Sequence, residues 1–164
     1  MEQIFKNSPE QIKSPRERLL GLEKTGKFVF HGSPASFDVA EPKQAKNINE
    51  TTGEMEKHGT PAISATVLAE HAIFRSLVNE KLCPKDGETK FGADEQGLLH
   101  FSATQNLIDI ARSGKGKVYV FDKDKFENFE GGPEWRSSEP VSPIEIIEVT
   151  FEDLPKNIEV IESE

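Results

Sequence analysis

Hydrophobic positions fall in short runs whose spacing changes along the chain, and each change of spacing marks an element. The first regular stretch opens at Ser14-Pro15-Arg16-Glu17, a serine N-cap with proline at the first helical position and glutamate at the third. Leu19, Leu20 and Leu22 give this helix a partial apolar face, and Gly26 stops it. Residues 1–13 are polar apart from Ile4 and Phe5 and read as an arm. Lys27-Phe28-Val29-Phe30-His31 then favours a strand, cut off by Gly32-Ser33-Pro34. His31 is thereby set where a strand meets a loop, the usual place for a site.

From Pro34 to Gly59 the pattern is polar and aperiodic, and its length is unusual for a passive connector. It either covers a site or is merely mobile. Ala62 to Thr66 reads as a short buried strand, after which Val67, Leu68, Ala72, Ile73, Leu77 and Val78 recur at helical spacing. Residues 80–96 are charged and contain glycine, as an exposed excursion does, and end before a strand over Gly97–Ser102. A helix through Leu107, Ile108, Ile110 and Ala111 closes near Gly114. Lys117-Val118-Tyr119-Val120-Phe121 is the clearest strand, with Asp122 placed to cap a turn containing Phe126. After the breaker Gly131-Gly132-Pro133, an extended pattern resumes around Trp135 and again over Ile144–Val149. Strands and helices follow one another in an irregular order, unlike the strict alternation of a parallel α/β sheet. An α+β domain with two small, packed, mostly antiparallel sheets is expected.

Composition narrows the function classes. With 164 residues and no break in composition, one domain with a real core is the default. Acidic residues outnumber basic ones 29 to 20, and no lysine–arginine run is dense enough to mark a nucleic-acid surface. A protein or small molecule is the expected partner, ahead of nucleic acid or membrane. Cys83 is the only cysteine and rules out an internal disulfide; its loop lacks the base that would activate a thiol. No apolar stretch approaches a signal sequence or membrane span, so a cytoplasmic protein is expected. Zinc-ligand spacing, a glycine-rich phosphate loop and a nucleophile elbow are all missing, so neither a metal nor a serine hydrolase is expected.

Three segments carry the candidate chemistry. They are Phe30-His31-Gly32-Ser33, then Ile63-Ser64-Ala65 running on to Ala72-Ile73-Phe74, and last Glu134-Trp135-Arg136-Ser137 with Val141-Ser142-Pro143 downstream. In this order they resemble the ADP-ribosyltransferase fold, in the branch shared by diphtheria-type toxins and poly(ADP-ribose) polymerases, across about residues 27–150. The resemblance implies two sheets forming a split NAD-binding cleft with flanking helices. It divides the chain into an arm and helix over 1–26, the transferase-like domain over 27–154 and a tail over 155–164. In that family a strand ends in histidine, glycine and serine or threonine, a tyrosine opens the second segment, and another tyrosine stands on its helix. Here Ile63 and Phe74 occupy the two tyrosine positions.

What the resemblance implies is cleavage of NAD, with ADP-ribose passed to an acceptor and nicotinamide released. Breaking the bond between nicotinamide and ribose develops an oxocarbenium ion, which a fixed carboxylate stabilises. Glu134 is the first candidate and Glu139 its rival. His31 suits a hydrogen bond to a ribose hydroxyl, and Gly32 would let the nicotinamide amide reach the backbone. Ser33, Ser64 and Thr66 are rim donors or acceptors, with equally good readings as turn and cap residues. Phe74 would be the ring on which nicotinamide stacks, or else core packing beside Leu77 and Val78. Lys43 and Lys46 are candidates for the pyrophosphate, or solvated lysines. His58, His71 and His100 rank lower, His71 because an exposed helix face is expected for it. Other readings are a binding module without turnover on the same fold, an RNA 2′-phosphotransferase-like enzyme, and an unrelated hydrolase built on His100 and nearby carboxylates.

Overall fold

A computed structural model describes residues 13–48, 55–82 and 85–162. Cys83 and the arm over residues 1–12 lie outside the described residues. Among the described residues three helices, α1 (Pro15–Lys24), α2 (Ala69–Leu77) and α3 (Gln105–Arg112), accompany ten strands in an α+β arrangement of two sheets. The strands are β1 (Phe28–Ser33), β2 (Lys43–Ile48), β3 (Met55–Thr66), β4 (Thr89–Ala93) and β5 (Leu99–Thr104). They continue with β6 (Lys115–Asp122), β7 (Glu127–Asn128), β8 (Glu134–Ser137), β9 (Glu145–Thr150) and β10 (Ile158–Ile161).

The large sheet runs β7-β8-β3-β1-β6-β9, with β2 paired to β3, and every pairing in it is antiparallel. The small sheet runs β10-β5-β4, antiparallel between β4 and β5 and parallel between β5 and β10. Strand alternation gives the large sheet two apolar faces. Phe30, Val118, Val120, Ile147 and Val149 join a core with Leu19 of α1, Ile73, Phe74 and Leu77 of α2, Leu107 of α3 and Phe101 of β5. On the other face Val29, Ile63, Ala65, Tyr119 and Phe121 pack with Ala40, Phe126 and Val141.

The helix expected at Ser14 starts there. The Ser14 hydroxyl accepts from the Glu17 N–H at 3.1 Å, and the Glu17 carboxylate accepts from the Ser14 N–H at 3.2 Å. Its far end does something local sequence does not reveal: Glu23 Oε1 accepts from the Ala69 N–H at 2.7 Å, capping the N-terminus of α2, which has no side-chain cap of its own. α2 then lies across β1 and β6 at two glycines. A Cβ added at Gly32 would fall on the Ala72 carbonyl oxygen, and one at Gly116 on the Ser76 side chain. Gly32 therefore has a structural task, close helix-to-strand approach, independent of any ligand.

Three expectations change. The stretch over 34–59, read as aperiodic, contributes β2 and the first half of a twelve-residue β3. The excursion over 80–96 contains β4, an edge strand of the small sheet. The last residues, read as a tail, form β10 with Ile158 opposite Phe101. No helix among the described residues is long and apolar enough to cross a membrane.

Candidate functional site

The three segments that carry the candidate chemistry sit on neighbouring strands β1, β3 and β8. Thr66 lies opposite Glu134 and Ser64 opposite Arg136, so these four side chains share one face of the β3–β8 pair. Ile63 and Ala65 turn to the other face and are buried. On the shared face the Glu134 carboxylate is held twice at one oxygen. Ser64 Oγ donates to Oε2 at 2.7 Å, and Arg136 Nε donates to the same atom at 2.7 Å. Both members of the ion pair are about one-third exposed, at 37% for Glu134 and 29% for Arg136, so the carboxylate is oriented yet reachable.

The orienting residues are themselves oriented. Arg136 lays its guanidinium over the Phe129 ring at 3.5 Å, which fixes its plane. A tight turn between β7 and β8 feeds Glu134 into its strand: Glu130 and Gly131 take positive φ values of 55° and 77°, and Phe129 N–H donates to the Glu134 carbonyl at 2.9 Å. Pro133 accepts from the Val67 N–H at 3.1 Å, tying this turn to the start of α2.

His31 alternates to the opposite face of the sheet from Glu134, with its ring centroid 6.1 Å from that of Phe37 and 6.5 Å from that of Tyr119, and it joins the group through the Ser64 backbone. β1 and β3 share a single registered pair, Phe30 with Thr66, and beyond it the His31 ring meets the backbone. Nδ1 lies 2.8 Å from the Ser64 carbonyl oxygen, so Nδ1 carries the hydrogen and donates. In a neutral ring Nε2 is then an acceptor. The turn after His31 is pinned by Tyr119, which lies opposite His31 in β6. The Tyr119 hydroxyl donates to the Ala35 carbonyl at 2.7 Å and accepts from the Phe37 N–H at 3.1 Å, while the two rings stack at 3.8 Å.

His71 belongs to this neighbourhood too, contrary to the exposed face expected for it. It stands in the first turn of α2, five residues after Thr66, half-buried and stacked flat on Phe91 of β4 with 3.8 Å between centroids and 4° between planes. Burial pushes its pKa down to about 4; Arg75 adds to the fall, and the charge of Glu134 opposes it.

The remaining candidates separate from this group. Phe74 is 1% exposed and packs on Phe101 with centroids 5.0 Å apart, which leaves no ring face for a ligand; the core reading holds. Glu139 lies past the end of β8, exposed, and its backbone closes a turn on the Ser137 hydroxyl. The Ser33 hydroxyl accepts from the Ala35 N–H and the Thr66 hydroxyl from the Leu68 N–H, so both serve turns. Lys43 and Lys46 lie on β2, paired with β3 at Ala62 and Lys57, and His58 lies on β3 opposite Ala45. His100 pairs with Asp94 at 3.1 Å in the exposed β4–β5 hairpin. Among the described residues, no three His, Cys, Asp or Glu side chains stand close enough to hold a metal.

Two grooves elsewhere on the surface, of about 510 and 380 Å³, are lined by none of the candidate side chains. What marks the candidate site is convergence of polar groups, not depth. Sequence reasoning underrated Arg136, His71 and Tyr119. A signal existed for each: Arg136 two residues after the candidate glutamate, His71 three before Phe74, and a lone tyrosine amid the valines of β6, whose buried hydroxyl needs a partner. Comparison with protein-family models, curated proteins and solved structures finds no match.

Proposed function

We propose that this chain is an NAD-dependent ADP-ribosyltransferase, or an NAD glycohydrolase, with Glu134 as its catalytic carboxylate. The observation that carries the reading is that three segments remote in sequence are joined at Ser64, whose hydroxyl holds Glu134 together with Arg136 and whose carbonyl accepts from the His31 ring. In the reaction the bond from ribose C1′ to the nicotinamide nitrogen breaks, and its electron pair stays with the departing neutral ring. Glu134 stabilises the positive charge that grows on the ribose. His31 orients the sugar through a hydrogen bond to a ribose hydroxyl. An acceptor nucleophile, or water, attacks C1′ and gives up its proton.

Incubation with NAD, followed by chromatographic assay of free nicotinamide, tests the reading. Turnover is expected, with Glu134→Gln lowering it by about a hundredfold or more while Glu139→Gln leaves it within about threefold. No nicotinamide release across a broad range of conditions, with no NAD-dependent rise in melting temperature, sinks the proposal.

A second reading, NAD binding without turnover, draws on two observations. The Arg136 ion pair draws charge from Glu134, and the two positions where tyrosines stand in the resembling family hold the buried Ile63 and Phe74. NAD-dependent stabilisation unchanged by Glu134→Gln and free of nicotinamide release would select it. Phosphotransfer on RNA is disfavoured because Arg16, Arg18 and Arg112 are engaged with Glu70, Glu145 and Asp109.

A further inference from the structure

Cleaving NAD at Glu134 requires that the nicotinamide ring, a flat pyridinium cation, be held within reach of that carboxylate. The surface suited to such a ring is flat and uncharged, because a cation is drawn to a neutral π-face and repelled by an ionised one. Phe74 is closed off in the core. Trp135, next in the chain, turns to the opposite face of the sheet with Ala65 and lies under Lys123, and on the face of Glu134 the described aromatic contacts offer two other platforms. One is Phe129, whose face is occupied by the Arg136 guanidinium. The other is His71, supported from behind by Phe91 at 3.8 Å and nearly parallel to it.

Position in the chain brings His71 to the site. Thr66 pairs with Glu134, Val67 bonds to Pro133 in the turn just before Glu134, and His71 follows in the first turn of α2. Its backbone N–H is satisfied by the Leu68 carbonyl at 3.1 Å. The ring is half-buried, and burial beside Arg75 keeps the imidazole uncharged at neutral pH. An uncharged ring, braced by a second ring at the start of the helix that Val67 ties to the turn before Glu134, matches what the bound pyridinium needs.

We infer that His71, braced by Phe91, is the stacking face for the nicotinamide ring of NAD, a binding role that rests on the reading of Glu134 given above. Stacking holds the substrate before the bond breaks, so its loss acts on binding more than on the chemical step.

Two measurements on the full chain test this. Free nicotinamide titrated into the wild-type protein is expected to move the His71 ring proton resonances through ring-current shifts. In steady-state assay His71→Ala is expected to raise KM for NAD by about tenfold with a much smaller change in kcat, and His71→Phe, which restores a flat neutral ring, to recover most of that loss in KM. If the wild-type protein turns over NAD and binds nicotinamide while the His71 resonances stay fixed, the inference fails and the Glu134 reading stands. Equal KM values for His71→Ala and wild type would overturn it in the same way. If the wild-type protein neither turns over nor binds NAD, both readings fall together. Should His71→Ala not fold, the titration of the wild-type protein still decides.

Discussion

At the scale of single residues, the side chains that matter most are those that fix other side chains. Tyr119 is the plainest case: one buried hydroxyl both donates to Ala35 and accepts from Phe37, so it closes the turn that follows His31. Tyr119→Phe keeps the ring stack on Phe37 but leaves two backbone groups without that partner. A loss of about 1–3 kcal/mol is expected in urea unfolding. Because His31 opens the turn, kcat/KM for NAD should fall as well; unchanged stability and unchanged kcat/KM would show that the turn holds without the hydroxyl. This pinning role was hidden because a tyrosine in a valine-rich strand says only that its oxygen needs a partner, not which loop supplies one. By contrast the candidacy of Glu134 and His31 was legible, since both lie next to strand-breaking glycines or prolines. Of the two readings open for Phe74, its spacing with Leu77 and Val78 is a core spacing, and the ring lies buried in the core.

At the scale of elements, the sequence announced those with a buried apolar face, the edge strand β9 among them, and concealed the more polar edges. α1, α2 and β6 carry strong caps or dense apolar runs, and they stand close to where those signals put them. β4 and β10 were missed because each is an edge strand that buries little, and β2 because its polar sequence Lys43–Ile48 shows no alternation. The partner of β10 is also remote, β5 lying more than fifty residues earlier, and no local pattern encodes that pairing. The contact of α2 with β1 was equally invisible, although Gly32 is its enabling residue. Gly32→Ala should cost about 3 kcal/mol or more, or prevent folding, because the added methyl meets the rigid backbone of α2 and not a side chain that can swing away. Chemical denaturation reads the effect, and an ordinary melting temperature for this variant would show that α2 does not seat so tightly on β1.

At the scale of the whole molecule, pH acts on the fold through the few groups whose affinity for protons changes on folding. Among the described residues His71 shows a large shift. Its ordinary value of 6.5 drops to about 4 in the folded protein, with burial as the main cause. Above pH 6.5 the ring is neutral whether the chain is folded or not, and the group contributes nothing to the pH dependence. Between pH 6.5 and 4 the unfolded chain takes up a proton that the folded chain refuses, so stability falls as the pH falls. The shift corresponds to about 3 kcal/mol lost across that window. Asp94 and Glu145 act lower on the scale. Hydrogen bonds from the Leu98 N–H and His100 hold Asp94 below the usual carboxylate range, and Arg18 does the same for Glu145, so what they contribute is lost as the pH drops through their own lowered values. Urea unfolding of the wild-type protein at pH 7 and pH 4.5 should therefore show a marked loss of stability. The same pair of measurements on His71→Phe should show a smaller one, because phenylalanine binds no proton in either state. If the two proteins lose stability equally across that window, His71 is not shielded by the fold, and the uncharged face required of it at the nicotinamide position would have to come from another ring.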